Sequence, residues 1–205
     1  MAKSKDIVIE QGKTFRLVIR WENENLVYKP ISAITQAAPV AITSATHGAP
    51  DGWNVAIVSV KGMTQLNAAN APPKDKDYIP ATKISDSIIE LNSVNAAEYK
   101  AYTSGGYIQY YEPHDLADSS ARMKIKDKVG GTTLLSSEGV TPAIDIALDN
   151  TAKTITVTIS AADTAAITTW KKGVYELEGV DGTSPEVVYS LLTGTVTLVE
   201  EIVTA

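Results

Sequence analysis

The chain has only two imidazoles, His47 and His114, and these are the first side chains to weigh for acid–base or metal chemistry. His47 stands before Gly48, and His114 follows Pro113. A functional reading makes either one a base or a metal ligand. The structural reading makes each a turn residue, and it is the stronger one for a lone histidine. Carboxylates form two further groups, Asp75-Lys76-Asp77 and Asp145 with Asp149. Their oxygens suit a hard cation, but neither run has calcium-loop spacing, and solvated loop charge accounts for both. Gly12-Lys13-Thr14 has the ending of a phosphate-binding loop, yet that loop needs a glycine five residues before Gly12, where Ile7 stands. The stretch reads as a turn. His-Glu-x-x-His, Gly-x-Ser-x-Gly and paired-metal spacings do not occur. Cysteine is absent, which rules out disulfides, thiolate chemistry and Cys-based metal sites. With no acid–base pair to nominate, we expect a protein that is not an enzyme and uses no cofactor or metal.

Aromatic residues offer a second kind of chemistry. Tyrosine dominates them, at nine residues against three Trp and one Phe. Trp53, Tyr107, Tyr110 and Tyr111 are the candidate interaction surface, for stacking on a sugar or contacting a subunit. The competing reading packs the tyrosines at a domain junction, half buried as tyrosines commonly are. Lys124, Lys126 and Lys128 make a basic strand face, read as edge or surface protection. A net charge of -6 and an isoelectric point near 5.0 argue against nucleic acid, which calls for a basic face. Mean hydropathy of -0.03, with no run approaching ~18 apolar residues, argues against membrane insertion. The first residues run directly into Ile7-Val8-Ile9, so no signal segment is expected.

The elements that must position these residues are strands. Phe15, Leu17, Ile19 and Trp21 fall on one side of a run whose other side carries Arg16 and Arg20, the two-residue period of a half-buried strand. Thr154 to Ile159 alternates three β-branched apolar residues with three threonines. Further strands are expected at Ile7 to Glu10, Trp53 to Val60, Ile88 to Leu91, around Met123 and Ile125, at Thr132 to Leu135 and at Ile144 to Leu148. Ser160, with Asp163 three residues on, predicts the N-cap of a short helix that Lys171-Lys172-Gly173 would close. The last stretch reads as three consecutive antiparallel strands. They are Val174 to Glu178, Glu186 to Leu192 and a run after Gly194, with a turn at Asp181-Gly182-Thr183-Ser184-Pro185 that uses a positive φ at Gly182.

Two resemblances follow from these motifs. His47-Gly48, Asp51-Gly52, Gly62-Met63, Leu66-Asn67, Tyr99, Tyr102 and Gly105-Gly106 together resemble a small domain of many phage proteins. That domain is similar to the first catalytic-cysteine half-domain of ubiquitin-activating enzymes. It implies a β-rich inserted fold, and with no cysteine present no ubiquitin chemistry comes with it. A phage tail and neck structural family is resembled by the flanking motifs. At the start these are Gln11-Gly12-Lys13-Thr14-Phe15 with Trp21, then Pro113-His114-Asp115-Leu116 and Ala121-Arg122-Met123. At the end they are Ile159-Ser160-Ala161, Val174-Tyr175-Glu176-Leu177, Asp181-Gly182 and Leu192-Thr193-Gly194. This second resemblance implies an immunoglobulin-like tail or neck component.

The expected fold is therefore all-β: a discontinuous immunoglobulin-like β-sandwich from residues 1–30 and 107–205, with a small β-barrel-like domain inserted at 31–106. The expected role is structural, in the tail, collar or baseplate of a bacteriophage virion. There the chain would form a symmetric homo-oligomer, contact other virion proteins (tail, neck or fibre components) and anchor fibres. A carbohydrate-binding adhesion module and a capsid decoration protein are the alternatives, the first with a glycan as ligand.

Overall fold

A computed structural model describes residues 3–182 and 185–202. The chain is all-β, and its backbone divides into two compact units. One comprises the residues up to Trp21 together with those from Asp115 onward; the other is Glu22–His114. The first unit opens with β1 (Lys3–Ser4), β2 (Ile7–Glu10) and β3 (Phe15–Ile19). The second holds β4 (Glu22–Pro30), β5 (Ala33–Ile34), β6 (Val40–Thr43), β7 (Trp53–Val58), β8 (Ile79–Ser85), β9 (Ile88–Leu91) and β10 (Tyr107–Pro113). The chain then returns to the first unit as β11 (Ser120–Lys126), β12 (Thr133–Ser136), β13 (Asp145–Asp149) and β14 (Thr154–Ile159). A helix α1 (Ala161–Ala165) precedes the last two strands, β15 (Lys172–Asp181) and β16 (Val187–Val199).

The first unit is a β-sandwich. One sheet runs β1-β16-β15-β11-β12, with β2 also paired to β16, and the other runs β13-β14-β3. Alternation decides which side chains meet between them. Ile155, Val157 and Ile159 are buried while the intervening threonines stay half exposed, and Met123, Ile125, Tyr175 and Leu177 come in from the larger sheet. Gly12, at φ 75, makes the expected turn, but the turn carries the chain between sheets: β2 pairs with β16 and β3 with β14. Ser160 caps α1 as its spacing predicts, its hydroxyl oxygen accepting from the Asp163 amide at 3.0 Å.

Several local expectations are corrected. The helix ends at Ala165 with Ala166 as its C-cap, so Lys171-Lys172-Gly173 does not close it; Lys172 and Gly173 begin β15. A Cβ on Gly173 would stand 2.6 Å from the Lys126 carbonyl oxygen, so this glycine serves a close strand approach rather than a left-handed cap. The last stretch is two strands and not three, because β16 continues through Gly194, whose missing side chain leaves room for the Lys5 carbonyl. Gly182 is not in the left-handed region either; it admits the Asp118 carbonyl, while Thr183 and Ser184 lie outside the described residues. Lys124 and Lys126 are not on an edge, since β11 pairs with β15 on one side and β12 on the other. Lys124 instead pairs with Glu138 at 2.7 Å.

In the second unit seven strands form an open path, β4-β10-β7-β8-β9-β6-β5, all antiparallel. Its core gathers Val40, Ile42, Trp53, Val55, Ile57, Met63, Leu91 and Ile108. Gly48 and Gly52, at φ 71 and 66, make the two turns that their sequence signals predict. This unit is wider than the 31–106 segment named from the sequence. Residues 22–30 and 107–113 pair with each other along β4 and β10, from Tyr107 opposite Pro30 to Pro113 opposite Glu22. They belong to this unit's sheet rather than to the sandwich. Among the described residues no helix is long and apolar enough to cross a membrane.

Candidate functional site

The two histidines are structural. His47 is fully buried; its Nδ1 accepts from the Ala49 amide at 3.1 Å, which leaves the hydrogen on Nε2 to donate to the Ser85 carbonyl at 2.8 Å. Both ring nitrogens are thus occupied by the turn that His47 holds. His114 Nδ1 lies 3.0 Å from Asn23 Oδ1. The acidic groups are also turn devices. Asp77 accepts from the Lys74 amide and from Asn70, both at 2.8 Å, and these bonds hold its carboxyl below the usual range. Asp149 accepts from the amides of Thr151 and Ala152 at 2.8 and 2.9 Å. Among the described residues no group of three or more His, Asp or Glu could hold a metal ion.

The candidate aromatic surface separates by strand parity. Trp53 is 0% exposed and donates its indole N–H to the Tyr111 carbonyl at 2.8 Å. Tyr110 is 2% exposed, donates to the His47 carbonyl at 2.6 Å, and has its hydroxyl pushed up to about 12, chiefly by burial. Both are core residues and are removed from the interaction surface. Successive side chains on a strand point to opposite faces, so Ile108 and Tyr110 face inward while Tyr107, Gln109 and Tyr111 share the outer face.

That outer face carries more than the sequence suggested. Register places Tyr28 of β4 opposite Gln109 and Leu26 opposite Tyr111. Tyr28 and Tyr107, 51% and 44% exposed, meet edge to face with centroids 6.3 Å apart. Tyr78 stacks on Tyr111 at 5.5 Å, and its hydroxyl accepts from Gln109 Nε2 at 2.6 Å. Burial raises the Tyr78 hydroxyl's pKa, against the pull of the Gln109 bond. Beside these rings β7 ends at Val58, Ser59 follows at φ 60, and residues 67–73 form a wall. Asn67 fixes that wall as a strand partner would: its Oδ1 accepts from the Val60 amide at 2.8 Å and its Nδ2 donates to the Val60 carbonyl at 3.0 Å. The recess between the rings and this wall, about 310 Å³, is open to solvent and lined by Tyr28, Ser59, Asn70, Pro72 and Gln109 among others, with no charged side chain.

Tyr28, Tyr78 and Gln109 were missed because nothing in their own segments places them together. Only the β4–β10 register and the strand after residue 77 do so. A larger recess of about 530 Å³ lies on the outer face of the sandwich and, unlike the tyrosine recess, is lined by charged side chains, Lys124, Lys126, Glu176 and Glu178. Arg122 pairs with Glu178 at 2.6 Å, and Ser190 donates to Glu176 at 2.5 Å.

No family model and no curated protein sequence matches this chain. The class that fold and site define is an all-β protein of two compact units, one of them bearing a preformed, uncharged tyrosine face.

Proposed function

We propose that the chain is a non-enzymatic structural component of a bacteriophage virion, in its tail, collar or baseplate. There it assembles as a symmetric multimer with other virion proteins and can anchor fibres. The observation that carries the assembly role is an open strand edge on the sandwich. Residues 187–190 of β16 pair with β15 on one side, and among the described residues nothing pairs with the other. Val187, Val188 and Tyr189 there are 40–44% exposed. An unpaired edge bearing apolar side chains is a template for a further strand, and folded monomers blunt such edges with charge or cover. The phage station rests on the motif resemblances alone. Closed point symmetry is the expected outcome of such pairing. Light scattering after size exclusion should give a multiple of 21.8 kDa for the chain alone or with its tail partners, and Val188→Lys should reduce it. A wild-type chain that stays monomeric under both conditions refutes the proposal. A specific observation also favours the carbohydrate-binding alternative, and that observation is the tyrosine face.

A further inference from the structure

We propose that the tyrosine face of the Glu22–His114 unit is a binding site for a neutral oligosaccharide. The inference rests on that face and not on the virion role. Ligand charge is the first discriminator. The recess has no charged lining residue, and the nearby Asp77 carboxylate is already engaged by the Lys74 amide and Asn70. An anion or a cation would shed water there with no counter-charge to receive it. A neutral ligand bears no such cost.

The second discriminator is the mixture of groups. A pyranose ring presents a C–H face and a rim of hydroxyls. Exposed rings at Tyr28 and Tyr107 offer the apolar platform, and carboxamides and hydroxyls at Asn70, Gln109 and Ser59 offer partners for the rim. Gln109 is 3% exposed yet lines the recess. Its Nε2 bonds to Tyr78, and its carbonyl oxygen has no hydrogen-bond partner among the described residues. That oxygen is not buried away from solvent, so it is an open acceptor that a ligand hydroxyl can reach.

The third is preorganisation. The two ring pairs hold one another, Tyr78 holds Gln109, and the 67–73 wall is pinned by Asn67 and by the Asn70–Asp77 bond. Little ordering is left for the ligand to drive, which matters for a weakly bound, heavily hydrated molecule. Tyr107 and Tyr111 are four strand residues apart, about 13 Å, long enough for more than one sugar ring. A proline-rich peptide is the nearest competitor for an aromatic groove. The decaproline arm of the test below decides between the two.

The test is an amide-resolved NMR titration of the full chain. Its probes are maltohexaose, cellohexaose, chitohexaose and mannohexaose at about 10 mM, enough to fill most of a site whose Kd is about 1 mM. Decaproline and sialyllactose serve as the peptide and charged arms. We expect at least one neutral hexasaccharide to shift the amides of residues 28, 59, 109 and 111. Tyr28→Ala and Tyr107→Ala should each weaken it about tenfold, while Tyr28→Phe, which keeps the ring, retains it. These side chains are exposed, and the unchanged spectra of distant residues will show that each variant folds. The proposal is overturned if no neutral saccharide shifts those amides, if binding survives both alanine substitutions, or if only decaproline or sialyllactose binds.

Discussion

Gly194 should be intolerant of even one methyl group, although it sits in the middle of a regular strand. A Cβ built there would stand 2.7 Å from the Lys5 carbonyl carbon, closer still to its oxygen, and 3.2 Å from the Tyr175 ring. The neighbour that must give way is backbone and cannot rotate aside. Three bonds hold that backbone: the Lys5 amide donates to the Thr193 carbonyl at 2.9 Å, and the Tyr175 hydroxyl donates to the Lys5 carbonyl at 2.6 Å. Asp6 then accepts from the Thr195 amide at 3.0 Å. Crowding of this kind costs about 1–3 kcal/mol. Displacing Lys5 also strands the Tyr175 hydroxyl, which is nearly buried, for about 1–3 kcal/mol more. Replacing a strand glycine returns about 0.5–1 kcal/mol. Gly194→Ala should therefore cost the sandwich about 1–5 kcal/mol and free the N-terminal strands from β16. Urea unfolding gives the energy, and hydrogen exchange of residues 3–9 shows where it is lost. Tyr175→Phe, which deletes the hydroxyl without crowding, should cost less and leave exchange of β2 slow. A Gly194→Ala protein with an unchanged midpoint and native exchange at residues 3–9 would refute the reasoning.

Three further outcomes can be measured on the same protein. Leu177→Ala should cost about 2–5 kcal/mol, because Leu177 is fully buried between the buried Met123 and Leu192, and a near-native melting midpoint would reverse the face assignment. Stability should fall between pH 10 and pH 12, since burial pushes the hydroxyls of Tyr110 and Tyr175 up to about 12 against about 10 in an unfolded chain. Their contribution is complete below about pH 10 and lost as pH rises, because the folded state holds protons that the unfolded state has released; the slope is up to about 1.4 kcal/mol per pH unit for each tyrosine. Urea midpoints that stay flat across that window would count against it. Removing Glu22–His114 and bridging the gap with a short linker should leave a cooperatively melting sandwich, since every strand pairing of the first unit lies outside that segment. Melting without a cooperative transition would show that the sandwich depends on the removed unit.

What could be read from the sequence was local in origin. The threonine-flanked β14, the two-residue period of β3 and the Ser160 cap are each fixed by neighbours a few residues apart, and each lies where its pattern puts it. Pairing was not legible at that level. Gly194 and Gly173 resemble turn glycines in one dimension, but their reason for being glycine is a carbonyl from a distant strand. The same limit explains the aromatic residues. The sequence groups Trp53, Tyr107, Tyr110 and Tyr111 only as aromatic residues; placement of β10 between β4 and β7 turns Tyr110 inward and Tyr107 outward. Half of the tyrosine face, Tyr28 and Tyr78, comes from other segments, brought in by the β4–β10 and β7–β8 pairings. The unit boundary moved for a similar reason, since β4 and β10 are far apart in sequence and each is a plain strand by itself.

The parallel pairing of β1 and β2 with β16 has a mechanical meaning. Lys3 lies beside Leu192 and Glu10 beside Val199, so the first and last strands run side by side in the same direction. Tension applied before β1 and after β16 pulls them past one another along their length. The hydrogen bonds between them are then loaded together, whereas a hairpin pulled from its open end parts one bond at a time. Strands β4 to β10 leave and rejoin the chain inside that clamp, between Trp21 and Asp115, so a pull on the two ends is borne by the sandwich first. The tyrosine face would keep its shape under load for as long as β16 holds its two parallel neighbours.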